Sequence, residues 1–234
     1  MTLTSPGRAP DWTAERRRVL RTALGIGIAT GAYGVSFGAL STTSGLTTTQ
    51  TCALSVLVFT GASQFAFVGV LGAGGGAASG TATALLLGSR NTLYGLRLAP
   101  LLELRGLRRL IGAQLVIDES TAVAVGQGDA RCARLGFWSA GLAVYVLWNT
   151  ATLVGALAGD AIGDPRTYGL DAAVPAAFLA LLAPRLRGRE PWAVALGACL
   201  VALLAVPVVP AGAPVLLAAL VAVAPGLRTP GSGR

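Results

Sequence analysis

Polar and ionisable side chains interrupt three stretches of this sequence that are otherwise apolar. The stretches are TGASQF at residues 60–65, LLLGSRNTLYGL at 85–96 and VIDEST at 116–121. A charge at the centre of a membrane helix costs about 2.5–3.5 kcal/mol on insertion scales. Such residues usually face a cavity or pair with one another, and they mark substrate and ion paths. The three stretches are therefore candidate solute-binding or ion-binding sites.

Arg90 lies deep inside its apolar run, and helical spacing places Tyr94 and Arg97 on the same face. One interpretation is that Arg90 contacts the solute or gates its path. The other is that Asp118 or Glu119 neutralises Arg90 and so holds two helices together. Arg97 is less informative, because a long side chain so close to the end of the run can reach the interface.

Asp118 and Glu119 are adjacent carboxylates in an apolar run. Two neighbouring carboxylates do not both stay ionised cheaply at low dielectric, so one of them could titrate as a proton or counter-ion site. The alternative is one partner for Arg90 and one group that reaches water. Ser63 and Gln64 also have two interpretations. They could contact a solute, or they could form hydrogen bonds between helices.

The fold that must position these residues is all-α and membrane-embedded. Of 234 residues 53% are hydrophobic and 12% charged, against about 25% charged in soluble domains. The mean hydropathy is +0.68. Apolar runs long enough to cross about 30 Å of hydrocarbon occur at 21–40, 50–71, 77–101, 110–127, 135–158, 169–184, 191–208 and 212–226. We predict a polytopic membrane protein of about six to eight segments, with a cytoplasmic tail at 1–19, one transport domain at 20–226 and a C-terminal tail at 227–234.

The arginines suggest that two of these segments do not cross. Eight full crossings from an inside N-terminus would place the basic loop 105–109 outside, against the positive-inside rule. Every basic loop faces the cytoplasm if 50–101 makes one net crossing and 110–127 enters and returns. That count requires discontinuous or re-entrant helices near 60–66 and 116–121. Transporters use such broken helices to build substrate sites.

Missing residue types exclude several functions. The chain has no histidine, and all eighteen of its basic residues are arginine. A phosphate-binding loop with its lysine and a Ser–His–Asp or Cys–His site are therefore impossible. The three cysteines are isolated, so we expect no metal site, no cofactor and no disulfide framework. The net charge of +8 lies at the ends of apolar runs and not on a nucleic-acid-binding surface. We expect a protein that is not an enzyme; a channel, a structural subunit and a membrane-embedded lipid-modifying enzyme are the alternatives to a transporter.

The chain resembles the AzlC family, the large subunit of branched-chain amino-acid exporters. FTGASQFAFVGVLGAG, LLLGSRNTLYGLRLAPLL, DES and GLDAAVPAAFLALL occur in the family's order, and the likeness runs from about residue 20 to 225. The resemblance implies export of branched-chain or similar apolar amino acids across the bacterial inner membrane, as a multi-pass protein with a cytoplasmic N-terminus. It also implies a small hydrophobic partner subunit of the AzlD type.

An amino acid offers chemistry that the polar residues can match. A guanidinium binds a carboxylate through two hydrogen bonds, and a carboxylate can hold the ammonium group. The expected substrate-binding residues are Gly61, Ser63, Gln64, Arg90, Asn91 and Tyr94, and the expected coupling or counter-ion residues are Asp118 and Glu119. Family members often have a histidine where this chain has Asn91. Any proton coupling is therefore expected to use Asp118 or Glu119.

Overall fold

The computed structural model describes residues 12–162, 179, 182–183, 186–209 and 213–228. Helices make up nearly all of this part of the chain, and no strand occurs in it. The helices are α1 (Trp12–Thr43), α2 (Thr48–Leu57), α3 (Ala62–Gly72), α4 (Ala77–Gly88), α5 (Arg90–Leu102), α6 (Gly106–Gln114), α7 (Asp118–Val125), α8 (Ala130–Ile162), α9 (Arg189–Ala205) and α10 (Ala213–Arg228). Most of the predicted segment 169–184 and both chain ends lie outside the described residues.

Two helices are long and apolar enough to cross a membrane within the described residues. They are Trp12–Thr43 and Ala130–Gly159, and Ala62–Gly72 is a shorter apolar helix. The helix α1 begins at Trp12, well inside the predicted N-terminal tail. Three other predicted segments, 50–71, 77–101 and 110–127, are each divided into two short helices.

The chain forms two compact units, and α1 and α8 contribute to both. The first unit comprises Met1–Ala32 and Asn91–Trp148, and the second comprises Tyr33–Arg90 and Asn149–Arg234. In the first unit α1 and α8 run in the same direction. A Cβ built on Gly27 would lie 2.8 Å from Cβ of Ala143, and one built on Gly31 would lie 2.8 Å from Cβ of Leu147.

In the second unit α1 and α8 approach until their backbones touch. A Cβ on Gly38 would collide with the Thr152 carbonyl oxygen, and one on Gly155 would collide with the Val35 carbonyl oxygen. Gly38 thus meets Thr152, which is three positions before Gly155, and Gly155 meets Val35, which is three positions before Gly38. Small residues permit this approach, as they do in membrane helix pairs generally.

The segment 50–71 folds back on itself in the second unit. The α2 helix starts just after α1 ends, and its Ser55 donates a hydrogen bond of 3.3 Å to Thr152 in α8. The chain then turns at 58–61. The α3 helix returns along α1, with the Phe65 ring 5.5 Å from that of Phe37, and a Cβ on Gly72 would lie 2.8 Å from Oγ of Ser44. The pair α2–α3 is a helical hairpin with its tip at 58–61.

The segment 110–127 folds back in the same way in the first unit. Along α6 the contacts with α8 advance, since a Cβ on Gly112 would lie 3.9 Å from the Phe137 ring and Leu115 reaches Gly141. The helix ends there, and α7 returns until Val123 contacts Gly136. From Ala130 to Gly141 is about 16 Å of helix, half of a membrane core. The tip at 115–117 thus lies beside Gly141, well inside the length of α8.

The two interruptions, at 58–61 and 115–117, lie close to the breaks predicted near 60–66 and 116–121. A third interruption was not predicted: α4 ends at Gly88 and α5 begins at Arg90. The glycine-rich stretch between α3 and α4 forms a tight turn, with Gly74 at φ +80. Only a residue without a side chain adopts this backbone conformation cheaply. The turn lets α3 and α4 pack along each other.

Candidate functional site

The tip of the α2–α3 hairpin is held together by Gln64. Its side-chain oxygen accepts a hydrogen bond of 3.0 Å from the Gly61 N–H, and its Nε2 donates one of 3.1 Å to the Leu54 carbonyl oxygen. The side chain is 0% exposed. Non-helical backbone inside a membrane protein must satisfy its own polar groups, and Gln64 does so for both halves of the broken helix. This position therefore gives Gln64 a structural role at the tip, beside the substrate contact that the sequence predicted.

Ser63 lies beside Gln64 and is oriented toward α4. It is 1% exposed, and its hydroxyl has no hydrogen-bond partner among the described residues. A Cβ built on Gly88 would lie 3.3 Å from that hydroxyl oxygen. Arg90 follows two residues later at the start of α5 and has a buried Nε. The structure thus brings the first two polar stretches of the sequence, GASQF and GSR, together inside the second unit.

Gly61 has a backbone conformation that suits glycine. Its φ is +62 and it immediately precedes α3. The first N–H groups of a helix lack partners within the helix and attract negative charge. The start of α3 therefore combines helix N–H groups with a buried hydroxyl, which is a suitable environment for an anionic group.

Asn91 and Tyr94 belong to the first unit, unlike Arg90. Both are half-buried on the first turns of α5. Tyr94 also takes part in an interaction within the structure.

The tip of the α6–α7 hairpin uses Ser120 as the other tip uses Gln64. The Ser120 hydroxyl accepts a bond of 3.1 Å from the Ile117 N–H and donates to the Leu115 carbonyl oxygen at 2.5 Å. It is fully buried. In both hairpins a polar side chain in the first turn of the second helix bonds back to the residue that precedes this helix.

Asp118 and Glu119 are the first two residues of α7, directly after this tip. Both are half-buried, and the Thr30 hydroxyl of α1 donates a hydrogen bond of 3.4 Å to Glu119 Oε1. The helix dipole favours negative charge at this end of α7. The third polar stretch therefore lies at the start of α7 in the first unit, and Glu119 joins it to α1.

Three groups of a kind that can bind metals meet elsewhere in the first unit. Donor atoms of Glu15, Asp129 and Cys132 lie within 4.8 Å of one another. The Asp129 carboxylate accepts hydrogen bonds from the backbone N–H groups of Arg131 and Cys132, and the Cys132 thiol lies 3.8 Å from Glu15. These hydrogen bonds explain the grouping without an ion.

Comparison with known proteins identifies the family. The family model for the AzlC protein matches residues 25–162, which include both hairpins and all three polar stretches. The chain belongs to the AzlC family. A relative from Archaeoglobus fulgidus, described as an uncharacterized membrane protein, is 33% identical over 157 residues. The similarity covers 66% of this AzlC protein and 68% of the relative. No solved structure matches this chain.

Membership of a membrane-protein family agrees with the two long apolar helices of this AzlC protein. The match ends at Ile162. It therefore omits GLDAAVPAAFLALL, to which the expected likeness extended and which lies almost wholly outside the described residues.

Three features of the AzlC site were not predicted from the sequence. They are the Ser120 hydrogen bonds, the Ser55–Thr152 hydrogen bond and the contact of Ser63 with Gly88. A signal existed for the first. A polar residue three positions after the residue that precedes a helix often bonds back to that residue, and Ser120 has this spacing from Ile117.

Proposed function

We propose that this AzlC protein is the large subunit of a secondary transporter that exports branched-chain or related apolar amino acids across the inner membrane. The observation that carries the proposal is the tip of the α2–α3 hairpin, where Ser63 offers a buried hydroxyl without a hydrogen-bond partner among the described residues. Broken helices of this kind hold anionic substrate groups in transporters. The chain lacks a lysine-containing phosphate loop, which supports transport driven by a gradient.

The substrate carboxylate is assigned to the start of α3. There it meets helix N–H groups and the Ser63 hydroxyl, and Arg90 stands two residues beyond the contacting Gly88. A guanidinium and a helix N-terminus both stabilise a carboxylate. Phe65 and Val68 are buried on the same helix, so the surroundings of the start of α3 are apolar, as a branched side chain prefers.

Proton or counter-ion coupling is assigned to Asp118 and Glu119. They are half-buried carboxylates at the start of α7 in the first unit, and the chain has no histidine to take this role. Asn91 stands where other family members often have a histidine. We therefore expect coupling in this protein to depend on the carboxylate pair.

A small hydrophobic subunit of the AzlD type is proposed as the partner. Leu93 and Leu96 on α5 are 67% and 69% exposed, so this protein presents apolar surface that either lipid or a hydrophobic subunit covers. The role of the partner is tested by co-expression.

The proposal is tested by measuring the uptake of a panel of labelled amino acids into inverted membrane vesicles, with and without the small subunit. We expect saturable, gradient-dependent uptake of branched-chain amino acids. Arg90→Ala should abolish this uptake, because it removes the cation near the carboxylate position. Arg97→Ala is the matched control, since Arg97 is exposed on the same helix. Normal uptake by a well-inserted Arg90→Ala protein would exclude Arg90 from the site, and flux that does not saturate would indicate a channel.

A further inference from the structure

A cleft with three arginines lies in the first unit, at the opposite end of α6 from the hairpin tip at 115–117. Its volume is about 480 Å³, and it is lined by Leu102, Glu103, Leu104, Arg105, Arg108, Arg134 and Trp138. These residues come from the end of α5, the start of α6 and the first turns of α8. The proposed transport function uses none of them.

The cleft carries a net positive charge. Glu103 forms an ion pair with Arg134, whose Nε also donates a hydrogen bond of 3.1 Å to the Leu101 carbonyl oxygen. Among the described residues neither Arg105 nor Arg108 forms an ion pair. Two guanidinium groups are thus available to an anion, while Arg134 is already fixed in position.

The backbone adds to this attraction. Arg105 precedes α6, and no side chain caps the N–H groups at the start of this helix. Those N–H groups attract negative charge, as do the guanidinium forks. Glu103 has a φ of +50 and Gly106 a φ of +54, so the chain makes a sharp turn around the cleft. A non-glycine residue in this region is uncommon and costs energy, and here it places Glu103 against Arg134.

An apolar face continues from the cleft along α6. Leu107, Leu110 and Ile111 occupy one side of the helix and are 72%, 70% and 47% exposed. Gly112 lies on the opposite side, buried against Leu104. The helix α6 therefore offers cationic groups at its start and exposed apolar side chains beside them. Trp138, an indole of the type that prefers the membrane interface, lines the same cleft.

We propose that this cleft binds the phosphate group of an anionic phospholipid. The phosphate oxygens accept hydrogen bonds from Arg105, Arg108 and the first N–H groups of α6, and the acyl chains lie along the exposed leucines. Basic pockets beside membrane helices recognise anionic headgroups through the same chemistry. A free phosphate ion would use the cations and leave the apolar face unused, so the combination favours a lipid.

The experiment is native mass spectrometry of the full-length protein in detergent. The probes are dioleoyl phosphatidylglycerol, dioleoyl phosphatidylcholine with the same acyl chains, and inorganic phosphate. We expect phosphatidylglycerol to remain bound as a one-to-one adduct and phosphatidylcholine to be lost. The Arg105→Gln/Arg108→Gln double variant should weaken phosphatidylglycerol binding by about tenfold or more, because two charge-assisted interactions are removed. Arg109→Gln is the matched control, since Arg109 lies on α6 but does not line the cleft.

A second pair of variants covers the case in which the double variant does not fold. Glu103→Gln removes the carboxylate that competes for Arg134 and should strengthen phosphatidylglycerol binding. Arg108→Lys keeps the charge and loses the two-pronged geometry, so it should weaken binding. The site would be overturned if phosphatidylcholine were retained as well as phosphatidylglycerol. It would also be overturned if Arg109→Gln lost as much phosphatidylglycerol binding as the double variant. Binding of inorganic phosphate that displaces the lipid at equal concentration would overturn the lipid assignment.

Discussion

Gly38 of α1 and Gly155 of α8 make the same contact from opposite helices. Each places its Cα against the backbone carbonyl of the other helix, Gly38 at Thr152 and Gly155 at Val35. The neighbouring residues are also alike, Gly-Ala-Leu at 38–40 and at 155–157. In the second unit both long helices therefore depend on a residue without a side chain at the crossing.

Alanine at either glycine should destabilise the protein. The added methyl group meets backbone atoms, which cannot rotate away, so we expect about 1–3 kcal/mol of destabilisation or more. The measurement is the fraction of monodisperse protein that remains after heating in detergent. Gly25→Ala is the control on α1, because a Cβ there would meet nothing within 4 Å. This control should be neutral or slightly stabilising, and a Gly38→Ala protein as stable as the control would contradict the close crossing.

Replacing Gln64 by leucine should loosen the tip of the α2–α3 hairpin. The change removes the acceptor of the Gly61 N–H and a donor to Leu54, and a buried unsatisfied group costs about 1–3 kcal/mol. Gln50→Leu is a matched control, since Gln50 accepts the same kind of bond from the Thr47 N–H at an exposed helix start. Thermal unfolding should show a large loss for Gln64 and a small one for Gln50. Equal losses of thermal stability would mean that burial of the Gln64 hydrogen bonds does not add to their contribution to stability.

Much of this architecture follows from charge placement. The arginines at 105–109 and 131–134 predicted that 110–127 turns back, and the structure places Arg105, Arg108 and Arg134 around one cleft. The contact of Ser63 with Gly88 could not be predicted in this way, because it depends on how α3 and α4 pack after their glycine turn. Hydropathy also failed to show the division at Ser89, since leucines on both sides keep the run apolar. Periodicity and charge report the membrane boundary, but they do not report side-chain contacts within it.

Acid should weaken the junction at the start of α8. The backbone N–H of Cys132, together with that of Arg131, holds the pKa of the Asp129 carboxyl below its usual range. Because the folded pKa is the lower one, this stabilisation is complete above the unfolded value of about 3.9 and disappears as the pH falls through the folded value. Thermal stability between pH 6 and pH 3 measures the effect. Asp129→Asn keeps an acceptor and should lose this part of the pH dependence; an unchanged profile would show that other carboxyls account for it.

Cysteine labelling should place the two basic loops on the same side of the membrane. In a variant without the native cysteines, Arg109→Cys and Arg131→Cys should both react with a membrane-impermeant maleimide in inverted vesicles and be protected in intact cells. The reason is that α6 and α7 enter and return beside α8. Thr49→Cys, exposed near the start of α2, should show the opposite pattern, because α1 separates it from the basic N-terminus. Labelling of Arg109→Cys from outside intact cells, with Arg131→Cys protected, would mean that 110–127 crosses completely and that the re-entrant hairpin is wrong.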